Sequence, residues 1–129
     1  MLSKQFRLKK KSAFNATYRI KNSVYKNGIV LFVGKKKCDE LPTKAGFVVS
    51  KKTHKSAVKR NRLKRLIRES YRLLLKENNV GISNQAVSLI FIGQKPALEK
   101  DFSYIKSTVK DLLERVDFGL SSVSQFRLR

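Results

Sequence analysis

Acidic residues, cysteine, histidine and long apolar runs are all scarce in this chain. Among its 129 residues, nine are Asp or Glu, one is cysteine, one is histidine and none is tryptophan. A single cysteine excludes an internal disulfide, which is typical of the reducing cytoplasm, and one cysteine with one histidine cannot complete a zinc site. No segment reaches the roughly 20 apolar residues that cross a bilayer. The N-terminus lacks the apolar stretch of a secretory signal.

The same scarcity argues against catalysis by the protein itself. A nucleophilic pair would have to be Cys38 and His54, and Cys38 lies in a predicted polar loop at residues 35–40. The acids are scattered, so the paired carboxylates or histidines of a protein nuclease are missing. We therefore predict neither catalytic residues nor metal ligands in this chain.

Basic residues are abundant and unevenly distributed. Thirty lysines and arginines give a net charge of +21. Residues 1–38 carry eleven of these cations and residues 44–68 carry ten, in both cases without an acid, whereas residues 69–129 are close to neutral. A surface this positive repels itself unless its partner is a polyanion, so nucleic acid is the first expectation and an anionic membrane the second. The contact surface is expected in the first two-thirds of the chain.

The apolar spacing predicts one α+β domain, a sandwich of a small sheet against helices. The first helix runs from Ala13 to about Ile20 behind a Ser12 cap. Strands are predicted at residues 29–33, 45–50 and 86–92, with a weaker one at 23–26 that turns through Asn27-Gly28. One helix follows Ser56 and the last starts just past Pro96. Residues 1–116 form this domain and residues 117–129 a C-terminal tail of uncertain order.

The helix after Ser56 has two distinct faces. Its apolar stripe consists of Leu63, Leu66, Ile67, Tyr71, Leu74 and Leu75. Its polar stripe consists of Asn61, Lys64, Arg65, Arg68 and Arg72. Nine cations and no acid precede Glu69 in residues 50–69, whereas a solvated helix face would carry interspersed glutamates. Because like charges repel along this face, we expect a polyanion to neutralise it.

Residues 59–69, with the sequence KRNRLKRLIRE, strongly resemble the RNR motif of the bacterial ribonuclease P protein family. The lead-in segments at 48–52 and 57–58, the N-terminal residues 8–14 with Tyr18, and the junction at 94–97 are also similar to that family. The resemblance spans about residues 5–116 in the family's order. His54 stands where the family commonly has glycine, which leaves the local turn geometry open.

The resemblance implies an αβββαβα fold, with a mixed sheet packed against helices and a left-handed β-α-β crossover around the basic helix. It implies a small protein partner of a large catalytic RNA, in a cytoplasmic ribonucleoprotein endonuclease that removes the 5′ leader from precursor tRNA. The chemistry would belong to the RNA, with magnesium bound mainly by that RNA. Neither a membrane nor DNA is expected as a partner.

The resemblance also implies two sets of site residues. The residues expected on or near the surface for the catalytic RNA are Lys59, Arg60, Asn61, Arg62, Lys64, Arg65 and Arg68. The residues expected in a cleft for the single-stranded leader are Phe14, Tyr18, Phe32, Ser50, Lys51 and Lys52. Rings beside lysines suit a leader of variable sequence, because stacking does not select one base. The alternative for the three aromatic residues is that they belong to the core.

Two other classes share part of this pattern. A ribosomal or other structural RNA-binding protein would have the same charge and a small α+β core, but the RNR block and the paired aromatic residues of the first helix argue against it. A helix-turn-helix DNA-binding protein would need a short helix directly before the basic one, where a strand is predicted instead.

Overall fold

The computed structural model describes residues 2–118. Its helices are α1 (Lys11–Ile20), α2 (Ala57–Lys76) and α3 (Phe102–Glu114), and its strands are β1 (Asn22–Lys26), β2 (Ile29–Val33), β3 (Lys44–Val48) and β4 (Ser88–Gly93). Short 3-10 turns at Lys4–Phe6, Gly81–Gln85 and Lys95–Ala97 complete these elements. The order αβββαβα confirms the predicted α+β class.

The four strands form one mixed sheet in the order β1-β2-β4-β3. The β1/β2 and β2/β4 pairs are antiparallel, and the β3/β4 pair is parallel. β4 therefore lies inside the sheet, as its nearly continuous apolar sequence predicts. The chain between the parallel neighbours β3 and β4 contains α2, which makes the β-α-β crossover; the left hand of this crossover stays a prediction.

The hydrophobic core lies between one face of the sheet and the helices α2 and α3. Ile29, Leu31 and Val33 alternate along β2 and are fully buried on this face. The apolar stripe of α2 packs against it through the fully buried or nearly fully buried side chains of Leu63, Ile67, Tyr71 and Leu74. α1 covers part of the opposite face, where it contacts β2 and β4. The molecule thus has three layers, with the sheet in the middle.

The hairpin between β1 and β2 turns through Asn27-Gly28, as predicted. Lys26 pairs with Ile29, so two residues make the turn. Asn27 has φ +49° and Gly28 has φ +86°, which is the left-handed backbone that such tight hairpins require. A Cβ atom on Gly28 would also lie 2.7 Å from the backbone nitrogen of Ala97.

Two predicted helix starts are wrong. α1 begins at Lys11 with Lys10 as its N-cap, so Ser12 lies inside the first turn instead of capping it. α3 begins at Phe102, because the side chain of Asp101 accepts a hydrogen bond from the Tyr104 backbone at 2.9 Å and caps the helix there. Pro96 lies earlier, in the short 3-10 turn.

The predicted tail, residues 117–129, lies outside the described residues from 119 onward. Its first two residues contact the domain: Asn22 Nδ2 donates a hydrogen bond to the Asp117 carbonyl at 2.8 Å, and Phe118 packs against the core. Among the described helices, none combines the length and the apolar character needed to cross a membrane.

Tyr71 gives a test of core packing. Its ring is fully buried against Phe47 and Phe91, and its hydroxyl has no hydrogen-bond partner among the described residues. Because an unpaired buried hydroxyl is unfavourable, Tyr71→Phe is expected to raise the free energy of unfolding by about 1 kcal/mol. Urea denaturation followed by circular dichroism measures this, with Tyr104→Phe on the surface of α3 as the control. A loss of stability would show that the hydroxyl has a partner.

Candidate nucleic-acid interface

α1 crosses the outer face of the sheet and divides it in two. Near its start, the Phe14 ring occupies the space above Gly46 of β3, where a Cβ atom would lie 2.5 Å from the ring. One turn later, the hydroxyls of Thr17 and Ser88 on β4 form a buried hydrogen bond. Tyr18 then meets Phe32 of β2 edge to face, with ring centroids 5.0 Å apart.

On one side of α1 the outer face of the sheet leaves an apolar surface partly exposed. Val30, Val48 and Ile92 are half-buried there and lie side by side, since both valines pair with Ile92 in the strand register. The half-buried rings of Phe14, Tyr18 and Phe32 lie beside them on the same face. We call these six residues the aromatic cleft. Their partial exposure leaves apolar and aromatic surface for a ligand to contact.

Two lysines lie beyond the end of β3, the strand that contributes Val48 to the aromatic cleft. Ser50, Lys51 and Lys52 are exposed, and Ser50 lies two residues beyond Val48. A tyrosine hydroxyl is already neutral at physiological pH, and burial raises the pKa of the Tyr18 hydroxyl further, so this group does not repel phosphate. The structure brings the rings of Phe14, Tyr18 and Phe32 together on the outer face, and Ser50, Lys51 and Lys52 lie beyond the carboxyl end of β3.

Sequence reasoning missed Val30, Val48 and Ile92. Residues 29–33 form one apolar run, so the sequence does not distinguish the two faces of β2. The strand register and the position of α1 are needed to place Val30 and Ile92 outside the core.

The second surface is the polar stripe of α2. The side chain of Ser56 accepts a hydrogen bond from the Lys59 backbone at 3.4 Å and caps the helix, which begins after Ser56 as predicted. Asn61 and Arg65 are exposed, while Lys64 and Arg68 are half-buried. The cations of this stripe that form no ion pair with a described residue are Lys64, Arg65 and Arg68, with Arg60 next to them. This uncompensated charge suits a polyanion.

The uncompensated charge ends at Glu69. The Arg72 guanidinium donates hydrogen bonds to the Glu69 carboxylate at 2.6 and 2.9 Å. These bonds hold the pKa of Glu69 below its ordinary value. The available cations of the stripe therefore lie before Glu69, in the first two-thirds of α2.

Arg62 and Lys59 have protein partners. The Arg62 guanidinium donates hydrogen bonds to the carbonyl oxygens of Leu98 and Lys100, each at 3.1 Å. Lys59 pairs with Glu99 at 3.2 Å, although both side chains are substantially exposed. Arg62 thus links the segment that precedes α3 to α2. The sequence pattern did not indicate this contact. RNA contact by either residue stays a prediction.

The backbone φ of His54 is not positive, so the residue adopts a conformation that any side chain allows. Its Nδ1 accepts a hydrogen bond from the Ser56 backbone at 2.9 Å. The turn before α2 therefore does not need the backbone freedom of glycine at this position, and the histidine adds a bond next to the helix cap.

The described residues do not assemble a metal site. Within residues 2–118, no three His, Cys, Asp or Glu side chains lie close enough together to hold an ion. Cys38 is an exposed free thiol.

Comparison with known proteins decides the family. A sequence model described as Ribonuclease P matches residues 2–117. The chain belongs to the ribonuclease P protein family. The ribonuclease P protein component of Clostridium botulinum strain Langeland is 36% identical over 112 residues, which cover 87% of this chain and 95% of the relative. That of Clostridioides difficile strain 630 is 33% identical over 113 residues, covering 88% and 93%.

Solved structures of the ribonuclease P protein family agree with the sequence relatives. The RNase P protein of Staphylococcus aureus superposes with a TM-score of 0.69 at 28% identity, covering 86% of this chain and 94% of that one. That of Thermotoga maritima gives a TM-score of 0.70 at 25% identity, covering 86% and 97%. The chain is therefore a subunit of an endoribonuclease, with a role in tRNA 5′ maturation together with a catalytic RNA.

Proposed function

We propose that this chain binds the catalytic RNA of ribonuclease P through the polar stripe of α2 and the 5′ leader of precursor tRNA through the aromatic cleft. The observation that carries this proposal is the presence of two chemically different surfaces on opposite faces of one sheet. One is rich in unpaired cations, and the other combines half-exposed rings with flanking lysines.

The polar stripe suits a structured RNA. Arginine guanidinium groups bind phosphate oxygens with paired hydrogen bonds, and they add affinity without reading base edges. Arg60, Arg65 and Arg68 supply three such groups from a single helix at fixed spacing, and Lys64 adds a fourth cation. A folded RNA with a fixed pattern of phosphates is the matching ligand.

The aromatic cleft suits a single strand. Bases that are free of pairing stack on aromatic rings at roughly 1–3 kcal/mol each, with little preference for sequence. Tyr18 and Phe32 hold each other edge to face, which keeps their orientation fixed before binding. Lys51 and Lys52 are exposed beyond the end of β3 and would supply cations for the phosphates of the same strand. A leader whose sequence varies among precursor tRNAs fits this cleft.

The protein positions RNA, and the catalytic RNA performs the hydrolysis. Magnesium is part of the family's reaction, but the described residues do not supply a set of ligands for it. By similarity to the family, the catalytic RNA would hold the metal ions, and no step is derived through a protein-bound ion. The location that fits this role is the cytoplasm, without a membrane or DNA partner.

Reconstitution tests the proposal. RNA-free protein is expected not to cleave precursor tRNA, whereas protein with a bacterial ribonuclease P RNA and magnesium should cleave it at lower salt than the RNA alone requires. The lower salt follows because the protein's cations replace counterions that the two RNAs otherwise need. The assay measures release of the 5′ leader from labelled precursor. Magnesium-dependent cleavage by the protein alone would contradict the proposal.

A further inference from the structure

Behind α1, on the side away from the aromatic cleft, lies a second groove. It has a volume of about 390 Å³ and an apolar floor that includes Ala16, Ile20 and Val87. It shares Leu8, Ala13 and Lys44 with an adjoining groove of about 630 Å³ at the N-terminal end of α1. We call the two together the rear groove.

The polar lining of the rear groove is almost entirely cationic. The first part is lined by Arg19, Lys35 and Lys44, and the adjoining part by Lys4, Arg7, Lys9 and Lys10, with no acid in either. None of these seven forms an ion pair with a described residue. By contrast, Lys106 and Lys110 on α3 form ion pairs with Glu77 and Glu114. The rear groove therefore concentrates uncompensated charge and favours an anionic ligand.

The rear groove has no aromatic residue in its lining, unlike the aromatic cleft. Without a ring to stack on, bases gain little there, so the charges favour the phosphate backbone of an RNA over its unpaired bases. A structured RNA, which presents its backbone outward, is the matching occupant.

The start of α1 points to the same ligand. Its N-cap is Lys10, whose side chain makes no capping bond, and its first turn contains no acid. The N-terminus of a helix is electrostatically positive, so lysines at 9–11 are unfavourable there in the free protein. Phosphate at this end would relieve the repulsion.

The N-terminal segment connects the rear groove to the C-terminal half of α2. The N-terminal segment packs on the second half of α2, where Leu2, Ser3 and Phe6 line a pocket with Arg72 and Lys76. The segment then passes the free edge of β3, where the Leu8 backbone donates to the Ala45 carbonyl at 2.9 Å, and enters α1. Lys4 and Arg7 lie on this path, so basic residues extend from α2 around the sheet edge to α1.

We propose that the rear groove binds the phosphate backbone of the catalytic RNA, as a second contact surface in addition to the polar stripe. This inference rests on the proposed function, because it takes the catalytic RNA as the ligand of α2. In the assembled enzyme, α1 then lies between two RNAs: the catalytic RNA in the rear groove and the leader in the aromatic cleft.

Paired substitutions test the rear groove. Arg19→Gln with Lys44→Gln removes two exposed cations from it, and Lys106→Gln with Lys110→Gln removes two from α3 as a control of equal charge. Filter binding of each full-length variant to ribonuclease P RNA, at several salt concentrations, is the measurement. The rear-groove variant is expected to bind about tenfold more weakly, with the log–log salt slope lower by roughly 0.7–0.9 per lost phosphate contact. The control should match the wild type in slope.

A second measurement does not depend on variants. In the complex of wild-type protein with the catalytic RNA, Lys35 and Lys44 should be protected from acetylation, while Lys110 should react as in the free protein. Accessible Lys35 and Lys44 in that complex would overturn the inference, and so would equal affinities of the rear-groove and control variants.

The possible failures are distinguishable. If the wild type does not bind the catalytic RNA at all, the proposed function fails and the inference fails with it. If the wild type binds and loss of the polar stripe weakens binding, but the rear-groove variant behaves as the control does, only the inference fails. If the rear-groove variant loses affinity only for precursor tRNA with a long leader, the groove belongs to the substrate and the inference is overturned.

Discussion

Replacing Arg65 and Arg68 together with alanine is expected to weaken binding to the catalytic RNA by roughly 100-fold. Both side chains lie on the polar stripe and neither pairs with a described acid. A charge-assisted contact contributes about 1.5 kcal/mol, so two lost contacts give this factor. The log–log salt slope should fall by roughly 0.7–0.9 for each lost phosphate contact. Filter binding across a salt series measures both quantities.

The fold should be insensitive to this double substitution, since the apolar stripe of α2 is untouched. Thermal melting by circular dichroism is the control, together with Lys106→Ala and Lys110→Ala on α3, which remove the same charge elsewhere. A collapse of the melting temperature with unchanged RNA affinity of the folded fraction would mean that these arginines are structural.

Tyr18→Ala is expected to cost roughly 1–3 kcal/mol of the holoenzyme's affinity for precursor tRNA, or about 5- to 150-fold. The ring borders the aromatic cleft and orients Phe32, so its removal takes away one stacking surface and loosens another. The loss should occur with precursor tRNA, be absent with mature tRNA, and vary little among leader sequences. Equilibrium binding of holoenzyme to the two ligands measures it.

Two variants isolate the ring of Tyr18. Tyr18→Phe keeps the ring and should keep the affinity, and Tyr104→Ala removes an exposed ring from α3 and should have no effect. Equal losses for precursor and mature tRNA, or a misfolded Tyr18→Ala protein by circular dichroism, would mean that Tyr18 serves the core and not the leader.

The elements that the sequence predicts well are those whose signals are local. Asn27-Gly28 defines a tight turn by itself, and Ser56 with the apolar spacing of α2 defines a helix and its start. The two wrongly predicted helix starts, those of α1 and α3, lie where neighbouring residues determine a different first residue of the helix. Ser12 is a good cap, but the chain before it is tied to β3 through Leu8, and the helix begins before the serine. Pro96 suits a helix start, yet Asp101 caps the helix five residues later.

The candidate site also contains residues that the local sequence predicts and residues that only the folded chain reveals. The polar stripe of α2 follows from helical periodicity alone, and Phe14 and Tyr18 share a face because they are four residues apart. Val30 and Ile92 become cleft residues only through the pairing of β2 with β4. The bonds from Arg62 to the connection before α3 depend on residues far along the chain, so no local pattern could reveal them.

The N-terminal segment also protects the molecule from self-association. An uncovered outer strand presents unpaired backbone groups on which another chain can add a strand, a common route to aggregation. β3 is such a strand, and residues 7–8 occupy its free side through the bridge from Arg7 to Ala45 and the bond from Leu8. β1, at the other margin, is short and carries Lys26, which discourages the same event. Removal of residues 2–8 is therefore expected to expose the edge of β3 and to favour self-association.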